Sequence, residues 1–464
     1  MRRDSNEPKS DQDGSDLETL GPRIQDDLEG SDIEKSGPRT QNNLELSDLE
    51  ASGPGNQEPT PPKPGPIPDG GRVAWAHVLF MHTVFFNTWG VANGYGVFQQ
   101  YYTDALDQTE SNISWIGSVQ VCLLFLVGVP AGRLTDAGYF RPTFACGVFL
   151  QVLGLFMTSL GTTYWQIFLA QSVCLGIGNG LTFCPGLAIL SQYFSRYRGF
   201  AVGLAAAGAA VGGLVYPVLV NWLMFKHDIG FPWTLRIMGF IMLTTYVPCL
   251  IWFRPRVPAK MSGPWIDTSA FSELPFLFFS ASFFLNFWGL YFAFFYLGTF
   301  ARDEVGISEP IYLLMILNGV GIVGRVMPSV IADRWTGLLN LLVPLSFAAA
   351  LLVYCWAAIH SKAGLYVFAV IYGLFAAALQ AIFPAVATTM TPDPDRTGTR
   401  VGMILGFASF ATLTGPAICG ALIRQMDGSY LGGQMFSASV ILLGGIMGLA
   451  ARIAKTGFVL RIKI

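Results

Sequence analysis

Arg325 lies inside a long apolar run, eight residues ahead of Asp333. On a helix rising 1.5 Å per residue it sits about 12 Å deeper than that aspartate. A charge at such depth is costly and must face a cavity or a partner. A guanidinium there suits a carboxylate, which it can grip with two parallel hydrogen bonds. The competing reading is a structural arginine held by carbonyls or reaching for the interface. Neutral polar side chains stand at comparable depth in other apolar runs: Asn87, Asn93, Tyr95, Asn286, Tyr291 and Gln380, with Gln120, Asn179 and Asn318 beside them. With Arg325, the first six are the candidate substrate-binding residues. Tyr95, Phe287, Trp288 and Tyr291 fall in the first and seventh runs and favour a substrate with an apolar or aromatic body.

A second set of charges marks the ends of two runs. Gly132-Arg-Leu-Thr-Asp136-Ala-Gly-Tyr-Phe-Arg141 closes the second, and Ser329-Val-Ile-Ala-Asp333-Arg334 closes the eighth. Each has a small residue four before an aspartate. Asp136, Arg141, Asp333 and Arg334 are therefore the candidate gate, making ion pairs in one state and releasing them in another. Gly203, Gly208 and Gly212 in the fifth run are candidate helix-packing residues, since small side chains let helices meet backbone to backbone. Gly199/Gly203 and Gly208/Gly212 are each four apart, so each pair shares a face.

Other chemistry is thin. His77 and His82 are five apart, about 140° around a helix, so they do not form a metal pair. His82 is the nearest titratable candidate for coupling to protons, against the plainer reading of a packed side chain. The seven cysteines sit in or beside apolar runs without CxxC spacing, so neither a disulfide framework nor a metal site is expected. There is no nucleophile–base constellation and no nucleotide-binding loop, so the sequence does not read as an enzyme or an ATP-driven pump, and it implies no cofactor.

The elements that must position these residues are twelve apolar stretches. The chain has 464 residues, 52% hydrophobic and 12% charged. A bilayer core needs roughly 20 apolar residues per helix and tolerates no unpaired backbone. Helices are expected over 74–97, 113–134, 142–161, 164–188, 199–222 and 233–253, and again over 274–299, 310–332, 338–358, 364–388, 400–423 and 431–452. The fold class is an all-α membrane protein of twelve transmembrane helices in two six-helix halves (71–253 and 274–464), joined by a linker at 254–273. The repeated helix-end motif is what duplication of a six-helix unit would leave.

Residues 1–70 are different. They carry a net charge of −9 against +7 for the remainder. Their composition predicts a disordered acidic tail, with a sixteen-residue repeat at Ser15, Ser31 and Ser47 in Ser-Asp-Leu/Ile-Glu. A solvated spacer is the simpler reading; a phosphorylatable regulatory tail is the other. The polar, acidic start makes the first apolar stretch the expected uncleaved anchor. Placing Lys and Arg by loop puts both termini in the cytoplasm. The bases do not cluster on a soluble face, so no nucleic-acid partner is expected.

The Gly132–Arg141 segment resembles the loop signature of the major facilitator superfamily. Two further segments narrow this: Pro68-Asp69-Gly70-Gly71-Arg72-Val73-Ala74-Trp75 before the first helix, and Tyr193 through Gly212 at the fifth. Both resemble the paired signatures of the monocarboxylate-transporter (monocarboxylate porter) family, and Phe86–Tyr102 resembles its fungal branch. The resemblance implies a secondary transporter of a small organic anion working by alternating access, with Arg325 in Gly-Arg-Val-Met-Pro-Ser contacting the substrate. It implies the plasma membrane, a fold that works as a monomer, and protons as a candidate second cargo. Two departures weigh against proton symport: the family's acid one turn before this arginine is Gly321, and its lysine late in the first helix is a neutral residue, Asn93. Efflux of a secondary metabolite is the alternative, and a non-transporting sensor signalling through the tail is a third.

Overall fold

The computed structural model describes residues 67–458 apart from 107, 228, 258–265 and 391–396. The acidic tail, its repeats and its expected disorder lie outside the described residues, as does the middle of the linker. Twelve helical spans follow in order. The first, α1, is broken at Gly94 into Gly71–Asn93 and Tyr95–Ala105. The rest of the first half is α2 (Glu110–Asp136), α3 (Phe140–Thr158), α4 (Tyr164–Ser191), α5 (Arg198–Asn221) and α6 (Phe231–Trp252). The second half is α7 (Leu274–Asp303), α8 (Ile311–Ile331), α9 (Leu338–Trp356), α10 (Lys362–Thr389), α11 (Thr397–Gln425) and α12 (Leu431–Thr456).

Among the described residues, eleven helices are long and apolar enough to cross a membrane, and they are the spans α2 to α12. The first span is split, and it carries His77, His82, Asn87, Asn93, Gln99 and Gln100 along its length. It was expected to stop at 97; it runs on to Ala105 because the chain resumes helix one residue after Gly94.

Each half is held by close backbone approach and by polar ties. Within the first, Tyr216 on α5 donates to Asn87 Oδ1 at 2.6 Å, and Asn87 Nδ2 donates to Thr245 on α6 at 3.0 Å. Gln151 on α3 donates to Thr182 on α4 at 2.7 Å and accepts from Tyr246 on α6 at 2.9 Å. In a setting without water such bonds satisfy groups that would otherwise be orphaned. The halves meet along two seams, α2 with α11 and α5 with α8. These seams enclose the middle of the molecule.

Candidate functional site

The cavity at the centre is lined from both halves: Phe85 and Trp89 on α1, Phe125 on α2, Phe183 on α4, Ala206 and Ala209 on α5, Phe287 on α7, Arg325 on α8, and Gln380 and Pro384 on α10. The space is narrow, about 10 Å³, roughly what one water needs. Phe85 and Trp89 are one helical turn apart and therefore share a face. Trp89 sits 5.4 Å from Phe125 and 5.6 Å from Phe183, ring centre to ring centre. Ala206 and Ala209 come from the small-residue run of α5 and leave the space the aromatics do not fill.

Arg325 is 2% exposed. Its Nη2 donates to Gln380 Oε1 at 2.5 Å, and its Nη1 donates to the Gly321 carbonyl at 3.2 Å. Both partners are neutral, and no carboxylate pairs with this guanidinium among the described residues. Because the arginine can only donate, the Gln380 amide must turn its oxygen to it. Gln380 Nε2 is then left buried without a partner, and so is Trp89 Nε1. The polar lining of the cavity thus consists of donors: a guanidinium, an amide NH₂ and an indole N–H. Such a wall can hold an acceptor-rich anion, and the one side-chain acceptor beside it, Gln380 Oε1, is already engaged by Arg325.

Of the seven substrate residues expected from the sequence, Arg325 and Gln380 come together here. Tyr291 lies directly behind: its ring is nearly parallel to Trp89 at 6.2 Å, and its hydroxyl is buried without a partner. Four do not line the cavity. Asn87 is tied between α5 and α6 as above. Tyr95 donates to the Ile113 carbonyl at 2.7 Å. Asn286 donates to Ser282 O and packs against Gly444 on α12. Asn93 is fully buried elsewhere on α1, both its polar atoms unpartnered. Trp89, Phe85, Phe125 and Phe183 were not singled out; among 36 phenylalanines and 11 tryptophans, no sequence signal set them apart. His82 faces the Leu204 carbonyl at 3.0 Å and clips α1 to α5.

The expected gate is partly rearranged. Asp333 accepts from the backbone N–H of Phe200 at 2.8 Å, so an acid of one half caps the N-terminus of α5 in the other, where the helix dipole favours it. Asp136 is exposed at the same end. Arg141 and Arg334 are exposed, and neither pairs with an acid among the described residues. The arginine that crosses between halves is instead Arg133, whose Nη2 donates to Thr399 Oγ1 at 2.6 Å. Next to it, Arg400 grips both oxygens of Glu273 at 2.7 and 2.8 Å and Asp267 at 2.8 Å, fastening the linker to the start of α11. At the other end of the bundle Ser111 on α2 donates to the Ala417 carbonyl on α11 at 3.2 Å.

The packing glycines divide by partner. A Cβ on Gly203 would come within 2.7 Å of Ser329 Oγ and 2.9 Å of the Arg325 carbonyl, across the seam to α8. One on Gly208 would strike the His82 carbonyl, and one on Gly212 would strike the Phe86 carbonyl, both on α1 of the same half.

Two six-helix halves around a central cavity with a buried arginine are the architecture of a membrane transporter. The Major Facilitator Superfamily model matches residues 80–416, and the chain belongs to that superfamily. It is similar to an MFS-type transporter of Gibberella zeae, 39% identical over 83% of this chain and 88% of the relative. The aspyridones efflux protein of Emericella nidulans is 36% identical over 85% of this chain and 80% of its own length. The agnestins efflux protein of Paecilomyces divaricatus is 34% identical over 82% and 87%. The crystal structure of the human organic anion transporter MFSD10 shares the fold, with a TM-score of 0.61 at 14% identity, covering 81% of this chain and 98% of that one.

Proposed function

We propose that this transporter exports a small aromatic organic anion, a secondary metabolite, by alternating access around Arg325. The carrying observation is Arg325 itself: a buried guanidinium in a cavity between the halves, hydrogen-bonded, among the described residues, to neutral groups. The aromatic lining suits a planar apolar body, and the donor-only polar wall suits a carboxylate or an enolate. Export, rather than import of a monocarboxylate, is favoured by the relatives whose names state efflux. Within the superfamily we assign the chain to the fungal branch of the monocarboxylate porters, on the segments around Asp69 and Tyr193. The Lys/Arg distribution in loops supports cytoplasmic termini, and we place the protein in the plasma membrane.

The test is efflux of a labelled panel of aromatic acids and matched neutral amides from proteoliposomes, for the wild type and Arg325→Gln. Loss of a charge-assisted contact worth about 1.5–3 kcal/mol predicts a roughly tenfold or larger fall for the acids. Folded variant is confirmed by its elution as a single species. Equal flux of acids in both proteins, or flux of the amides alone, sinks the reading.

A further inference from the structure

We propose that transport is electrogenic: the anion crosses as an anion, unaccompanied by a proton, and the membrane potential drives it out. This rests on the reading of Arg325 as the anion site and concerns what else moves. From Ala137 to His227, and again from Arg334 to Pro392, the chain holds no Asp or Glu. The acids that do fall in helices are at their ends: Asp104, Glu110, Asp136, Asp303 and, two residues past α8, Asp333. No carboxylate therefore faces Arg325 from α1, α5, α7 or α10. What those helices present is Trp89, Ala206 and Ala209, Phe287, and Gln380. The titratable side chain within electrostatic reach of the guanidinium is the Tyr291 phenol. The two histidines of α1 face backbone carbonyls: His82 that of Leu204, His77 those of Val73 and Arg254.

The charge inventory then fixes the cycle. With an anion bound, the site is neutral. With the anion gone, the site is +1, because Gln380 holds the arginine without cancelling it. No group near Arg325 takes up a proton on loading and releases it on unloading. Each outward step moves a neutral complex and each empty return moves one positive charge inward, so one negative charge leaves per cycle. An inside-negative potential favours that return. At about 2.3 kcal/mol per charge per 100 mV, a 100 mV potential supports a concentration ratio of about 50-fold, wherever in the bilayer the site lies.

The experiment uses the full chain in proteoliposomes with radiolabelled 1-naphthalenesulfonate, an aromatic anion that stays ionised at any working pH. Potassium and valinomycin set the potential, and pH gradients are imposed separately at zero potential. Arg325-dependent redistribution of the probe should follow the potential towards the 50-fold ratio and ignore the pH gradient. Uphill movement driven by the pH gradient at zero potential overturns electrogenic transport while leaving Arg325 as the anion site. A probe that Arg325→Gln moves as fast as the wild type, or that is neither bound nor moved, overturns the anion site and this inference with it.

Discussion

Gln380 decides how Arg325 behaves. A carboxylate in its place would neutralise the guanidinium before any substrate arrived; the amide orients it and leaves the charge available. Gln380→Glu changes the shape of that side chain hardly at all and its charge completely. We expect it to lower anion efflux at least tenfold at neutral pH, because a substrate anion would then have to displace a paired internal carboxylate. Efflux of the preferred acid from proteoliposomes measures this, and undiminished flux would show that shape rather than charge is read. At this scale Arg325 and Gln380 could be picked out because charge and amide are conspicuous in apolar helices, and the structure brings the two together at the cavity. It misplaced Asn87, Tyr95 and Asn286 for a physical reason. Depth in a helix can be counted from spacing, but the hydrogen-bond partner on a neighbouring helix cannot. Asn87 is satisfied by Tyr216 and Thr245, over a hundred positions away in the chain.

The helices themselves were legible because a bilayer demands about 20 apolar residues per crossing, and all twelve spans lie where the apolar runs are. Which neighbour a helix face meets was less so. Spacing paired Gly199 with Gly203 and Gly208 with Gly212 but not with a neighbour: the first pair faces α8 and Asp333 of the other half and the second faces α1 of its own. Their substitutions should separate accordingly. Gly203→Ala presses a methyl group onto Ser329 and the Arg325 carbonyl, on the seam that must slide. Overpacking of this sort costs about 1–3 kcal/mol, and here the halves can relieve it by parting. Transport should fall while the melting temperature stays near that of the wild type. Gly212→Ala presses on the Phe86 carbonyl and the Gly90 Cα at 2.7 Å, within one rigid half. It should lower the melting temperature. Flux and thermal melts on both variants check the contrast, and identical profiles would mean that α5 is one static packing surface.

Across the whole molecule, the halves touch at both ends of the bundle, with the cavity between the two seams. Two contacts at the Asp333 end cross from half to half: Arg133 to Thr399, and the Phe200 N–H to Asp333. Neither can survive separation of the halves at that end, so both stabilise only the states in which it is closed. Each involves one charged partner, which makes it stronger than a neutral hydrogen bond, although partial exposure reduces its worth. Removing both in Arg133→Ala/Asp333→Ala should raise the population open at that end by about tenfold or more. A cysteine placed at Ala209, on the cavity wall, reports this through its rate of reaction with a polar maleimide, the parent chain giving the background from its own cysteines. An unchanged rate in a folded double variant would mean that these contacts do not hold the gate. The same double variant should also lose net export. A transporter that cannot close one end exchanges its cargo at that same end without completing the cycle, so a faster reaction at position 209 and slower efflux must appear together.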